Sequence, residues 1–161
     1  MPKILDVKKD RLRYTKNKTS SSLAIIAIVF NVLYFISLYS SDVGNYYYKM
    51  IIGFSVVYNL LFLLITFLCS EGIKAYNINH AYILIAVGAM QIVRIFYLPT
   101  KAHTTLIALD GTERLVMSDN QFLWISICLI ASAVACVLGG IIGIIKTKTL
   151  ENYNKELAKQ Q

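Results

Sequence analysis

Phe122 to Ile145 reads FLWISICLIASAVACVLGGIIGII and carries no charged residue. At 24 residues it is long enough to cross a bilayer with some tilt. Small residues recur four apart along it, at Ala131, Ala135, Gly139 and Gly143. A second row, Ser132, Cys136 and Gly140, sits one position on. Such rows let helix backbones approach closely in lipid, where packing rather than the hydrophobic effect holds helices together. The expectation is that the other membrane helices pack against this run.

Three further apolar runs match it in length: Ser22–Tyr39, Met50–Cys69 and Ala81–Leu98, each of 18 to 20 residues. A soluble fold would have to hide all four, and with 57% of the 161 residues apolar too little polar sequence remains to cover them. The expected fold is therefore an all-α integral membrane protein, a four-transmembrane-helix bundle. Its parts are a basic N-terminal segment (1–21), a membrane domain (22–145, spans 22–39, 50–69, 81–98 and 122–145) and a helical extension (146–161). Some twenty largely polar residues precede the first run, which does not suit a cleaved signal peptide.

Charge sets the expected orientation. The net charge of +7 does not suggest nucleic acid, because the basic residues cluster by side. Seven precede the first run, four follow the last, and Lys74 lies between the second and third. Only Lys49, Lys101 and Arg114 lie in the other two connections. The positive-inside rule then puts both termini in the cytoplasm. The aromatic residues agree: Tyr34, Phe35, Tyr39, Tyr46 to Tyr48, Phe96, Tyr97, Phe122 and Trp124 gather towards the outer interface as a belt. The richness in Lys, Ile, Asn and Tyr suggests an AT-rich genome, and with it a bacterial plasma membrane.

The connections carry their own signals. Residues 1–21 mix basic residues with Ile4, Leu5, Val7, Leu12 and Tyr14. That pattern suits a helix lying on anionic lipid of the inner leaflet, or a disordered tail that only sets topology. Ser70–His80 reads as a tight turn between helices. Pro99 marks the end of the third helix, and the outer loop 99–121 follows. Within it, Thr104–Leu109 and Thr112–Met117 flank Asp110-Gly111, the pattern of a β-hairpin with Leu109 opposite Thr112 and Leu106 opposite Leu115. A loop without regular structure is the alternative. After the last span, Leu150, Tyr153 and Leu157 recur at helical spacing and form a candidate contact for a cytoplasmic partner.

Chemistry has few candidate residues. Asn31, Asn59 and Gln91 each fall near the middle of a span, and an amide in hydrocarbon needs a partner. Each other, or Ser126 and Ser132, are the nearest choices. The layer is either a set of interhelical hydrogen bonds or the lining of a solute path. Arg94 is the only charge inside a span, and Gly88, Gln91 and Arg94, three apart, share a face. Arg94 either snorkels to the outer headgroups, or binds an anion, an acidic residue of a partner subunit, or Asp42 or Asp119 of its own loops. Cys69, Cys128 and Cys136 read as buried packing residues. His80 and His103 fall on opposite sides, so no metal site is expected.

These absences argue against an enzyme. There is no glycine-rich phosphate loop and no convergent nucleophile with its base, and the lack of a carboxylate inside a span argues against a proton-coupled carrier. No cofactor is expected. The expected function is a non-catalytic accessory, stabilising or regulatory subunit of a larger membrane complex. The alternative is an oligomeric small-solute channel or transporter lined by Asn31, Asn59, Gln91 and Arg94. Expected partners are the bilayer, anionic lipid at the basic N-terminus, and other membrane subunits or further copies of the chain.

Overall fold

The computed structural model describes residues 4–40, 49–104, 106–109 and 112–159. It is almost entirely helical: α1 (Ile4–Tyr14), α2 (Lys18–Tyr39), α3 (Lys49–Lys74), α4 (Ile78–Ile95), α5 (Leu98–Thr104) and α6 (Asp119–Ala158). Four of these elements are long and apolar enough to cross a membrane: α2, α3, α4 with its continuation α5, and α6. Two short segments, β1 (Leu106–Leu109) and β2 (Thr112–Leu115), pair antiparallel with Leu106 opposite Leu115 and Leu109 opposite Thr112. The turn expected at Asp110-Gly111 lies outside the described residues.

The burial pattern is inverted relative to a soluble bundle. On α2 the buried stripe is Ser20, Ala24, Ala27, Asn31, Tyr34 and Leu38, three or four apart, while Ile25, Ile26, Val29 and Ile36 face outwards. On α3 the buried stripe includes Ser55, Asn59, Thr66 and Ser70, and Phe54, Leu60, Leu64 and Phe67 are exposed. A helix with small and polar residues inside and large apolar ones outside is stable where the solvent is hydrocarbon. In water the same surface would be one continuous apolar patch. This burial and the lengths of the spans together point to a membrane protein.

α6 is the centre of the packing, against α2 on one side and α4 on the other; α3 packs on α2 and more loosely on α4. Both small-residue rows take part in these contacts. Gly139 faces α2, where a Cβ would lie 3.2 Å from the Ser20 carbonyl oxygen and 3.3 Å from Leu23 Cβ. Gly140 faces α4, where a Cβ would come within 2.8 Å of the Ala81 carbonyl oxygen. Gly143 sits against Ala81 and Ser20. The Ser20 hydroxyl donates to the Gly139 carbonyl, which closes the α2–α6 seam. Ala135, Ser132 and Cys136 are buried in the same stripe, and Ala131 is half-buried at its edge.

The ends of the helices differ from the sequence reading in three places. α3 continues past Cys69 to Lys74, so the connection to α4 is only Ala75–Asn77. It is closed by Asn77 N–H donating to Gly72 O (3.1 Å) and Tyr76 N–H to Ile73 O (3.0 Å), the paired bonds of a Schellman cap. Tyr76 stands at its left-handed position, with φ 57°. α4 ends at Ile95, before Pro99, and Pro99 lies in the first turn of α5, where its missing N–H costs nothing. The expected loop 99–121 thus begins with a helix. α2 starts at Lys18, because the Asn17 side chain caps it by accepting from Ser20 N–H.

At the far end of the bundle, Ser118 caps α6 and Asp119 occupies its first turn. His103 and Asp119 lie 2.8 Å apart, and Gln121 Nε2 donates to Ser37 O at 2.7 Å. At the near end, Asn17 N–H donates to Lys74 O, and Lys146 Nζ donates to Asn17 Oδ1 (3.1 Å) and Thr19 Oγ1 (3.2 Å). Lys146 is thereby level with the start of α2, and the rest of α6 projects beyond the bundle. There α1 packs against it, leaving Leu150, Tyr153 and Leu157 half-buried.

Candidate functional site

The polar residues of four different helices meet inside the bundle. Asn31 on α2 is the hub. Its Oδ1 accepts from Gln91 Nε2 at 2.9 Å and from Arg94 Nη1 at 3.3 Å, and its Nδ2 donates to Asn59 Oδ1 at 3.3 Å. Gln91 also reaches Ser132 Oγ at 3.5 Å, and Ser132 donates to Ala27 O at 2.9 Å. The three amides and Ser132 are each at most 2% exposed. Each lies on the inward stripe of its own helix, so the bundle aligns them at one level. Ser126 does not join them; its hydroxyl is buried without a partner among the described residues.

Arg94 is turned into this cluster rather than out to the headgroups. Its side chain does not snorkel: the residue is 8% exposed. The guanidinium lies between two tyrosine rings, 4.3 Å from the centroid of Tyr34 on α2 and 4.7 Å from that of Tyr58 on α3. A cation held between aromatic faces gains roughly 2 kcal/mol per ring when desolvated. Its hydrogen bonds run to Asn31, to Gln91 Oε1 at 3.5 Å and to Ser55 Oγ at 3.4 Å. All are longer than the 2.7–2.9 Å usual for a charge-assisted bond.

Among the described residues the charge has no carboxylate partner. The ion pairs among the described residues are Arg13–Asp10, Lys74–Glu71 and His103–Asp119. Asp119, one of the two loop acids expected near Arg94, is thus bonded to His103; Asp42, the other, lies outside the described residues. The sequence reading did not place Tyr34 and Tyr58 beside Arg94. The signal was present: Tyr34 is three residues after Asn31 and shares its face, and Tyr58 directly precedes Asn59.

Beside Arg94 a groove of about 440 Å³ opens between α3 and α4. Ser55, Tyr58 and Arg94 border it, with Phe54, Leu61, Met90, Val93 and Tyr97. Asn31, Asn59 and Gln91 are buried within one bundle, whereas Arg94 also borders the groove. No cluster of His, Cys, Asp or Glu among the described residues offers a metal site. All three cysteines are buried and unpaired. His80 packs its imidazole over Gly72 at the α1 end, and His103 stacks on Phe122, 4.6 Å between ring centroids, at the other. No family model, curated protein or solved structure matches this chain.

Proposed function

We propose that the chain is a non-catalytic accessory or regulatory subunit of a larger membrane complex, with both termini in the cytoplasm of a bacterial cell. The observation that carries this is the projecting end of α6. A 40-residue helix is ~60 Å long, about twice the hydrocarbon thickness of ~30 Å. Its last turns run past the bundle with α1 alongside. Between them lies a groove of about 460 Å³ lined by Arg13, Leu150, Asn154, Leu157 and Ala158. Apolar Leu150 and Leu157 stand beside basic Arg13 there, a surface suited to an amphipathic segment of another subunit. On this reading the β1–β2 pair lies on the outer face.

The polar core supports the same reading. Its amides and hydroxyls bond mainly to one another, which suits a lock between helices better than a solute path or a reaction centre. A pore between copies has less support, since Asn31, Asn59 and Gln91, expected to line it, are buried within one copy.

The test is extraction from the native membrane in mild detergent, followed by the native mass and the identity of the retained chains. Defined other subunits should co-purify and be lost when Leu150→Asp and Leu157→Asp are combined. A monomer, or a homo-oligomer that retains no other chain, would overturn the proposal.

A further inference from the structure

We propose that the α3–α4 groove binds an anionic phospholipid of the surrounding bilayer, with the phosphate paired to Arg94 and one acyl chain lying between the two helices. The inference depends on the bilayer reading but not on the subunit proposed for the α1–α6 end.

The first observation is the uncompensated charge. Arg94 is buried among neutral groups, with three long hydrogen bonds and two aromatic faces and no carboxylate among the described residues. A buried cation without an anion is costly. The guanidinium has five N–H donors in a planar fork that matches a phosphate. Arg94 borders the groove, so an anion entering from the lipid side can reach it.

The second observation is depth. Arg94 is the penultimate residue of α4, and Ser55 and Tyr97 stand at the same end of the groove. Ser55 is six residues from the start of α3, and α4 gives way to α5 just past Arg94, so this end of the groove lies towards one face of the bundle. Met90 on α4 lies about one turn deeper than Arg94, and Leu61 on α3 nearly two turns deeper than Ser55, so the groove runs ~12 Å along the helices from Leu98 to Met90. A headgroup at Arg94 therefore places its chain in the apolar part.

The third observation concerns what the walls exclude. Phe54, Leu61, Met90, Val93 and Tyr97 are large, and each is at least half exposed. Helices that pack closely in lipid need small residues at the contact, as along α6, and Ser55 is the one small residue lining this groove. It fits a flexible chain better than a second helix.

The experiment uses the full chain, extracted mildly, depleted of lipid and offered phosphatidylglycerol or phosphatidylcholine with matched chains. Bound lipid is read by native mass spectrometry. One phosphatidylglycerol should be retained at least tenfold more strongly than phosphatidylcholine. Met90→Trp, which fills the groove from a lipid-facing position and leaves the contacts of Arg94 intact, should reduce retention tenfold or more. Arg94→Gln should abolish the preference between the two headgroups. Equal retention of both lipids, or unchanged retention in Met90→Trp, overturns the proposal. So does cross-linking of Val93→Cys in native membranes to an acidic helix of another chain, since that helix would then occupy the groove. Leu150→Asp with Leu157→Asp should leave lipid retention unchanged, so loss of the partner and loss of the lipid are separate results.

Discussion

Replacing Asn31 by Leu should destabilise the bundle far more than the same change at Asn59. The two residues have the same chemistry and face each other, so the difference comes only from connectivity. Asn31 makes three hydrogen bonds, to Asn59, Gln91 and Arg94. Asn59 makes the one they share, and its Nδ2 is buried with no acceptor among the described residues. Interhelical hydrogen bonds in membranes average ~0.6 kcal/mol and reach ~1.7. Asn31→Leu removes two ordinary bonds and one to a charged group, for a loss of ~2–3 kcal/mol.

Asn59→Leu removes one bond of ~0.6 kcal/mol, and the unpartnered N–H it takes away offsets the Asn31 Nδ2 that it leaves without an acceptor, each worth ~1 kcal/mol or more. Its net effect should lie within ~1 kcal/mol of zero. The gap of ~2 kcal/mol corresponds to roughly a 30-fold difference in the unfolding equilibrium. Reversible unfolding in mixed micelles with increasing dodecyl sulfate, followed through the single Trp124, measures both variants on one scale. The double variant should cost less than the sum, because the shared bond is lost only once. If Asn59→Leu costs as much as Asn31→Leu, Asn31 is not the hub, and the cluster is a diffuse polar layer.

Two further outcomes can be read in the same titration. Gly140→Ala should destabilise by ~1–3 kcal/mol, since its Cβ would meet the Ala81 carbonyl at 2.8 Å and backbone cannot yield as a side chain can. Gly53→Ala, with nothing within 4 Å of the added methyl, should gain up to ~1 kcal/mol; equal effects at the two glycines would show that α4 and α6 are not in contact at Gly140. Tyr76→Gly should stabilise by ~1 kcal/mol, because only the φ of 57° separates this cap from the usual glycine-terminated one. A loss there would mean that the Tyr76 ring contributes more than its backbone strain removes.

The four spans were legible because an uncharged run of sufficient length is a one-dimensional property of the chain. Where they begin and end was less so. Ser20, Ser21 and Ser70 read as polar edge residues, yet all three are buried, with Ser21 and Ser70 hydroxyls 2.7 Å apart. In a bundle whose outer faces touch hydrocarbon, short polar side chains belong inside, so polarity does not mark the end of a span. Pro99 was read as a stop, but proline is equally suited to a first turn, and α5 uses it that way. The left-handed Tyr76 had no signal, because a tyrosine there runs against the residue preference of the position.

The polar cluster was half legible, and the missing half decides its chemistry. Spacing places Gln91 and Arg94 on one face of α4, and central position gives Asn31 and Asn59 a common level. Periodicity within one helix cannot say which other helices that face meets. The direction of Arg94 is set from outside α4, by Tyr34 on α2 and by Tyr58 and Ser55 on α3. Without those rings the long side chain would run to the nearby interface, since water there solvates it at little cost. With them, the inward rotamer gains two aromatic faces and three hydrogen bonds, each weak, against the loss of hydration. A charge balanced so narrowly responds to whatever enters the adjoining groove: an anion there would tighten the α2–α3–α4 contact through Arg94. Groove occupancy and bundle stability are therefore linked through one residue, and anionic lipid should stabilise the wild-type bundle but not Arg94→Gln.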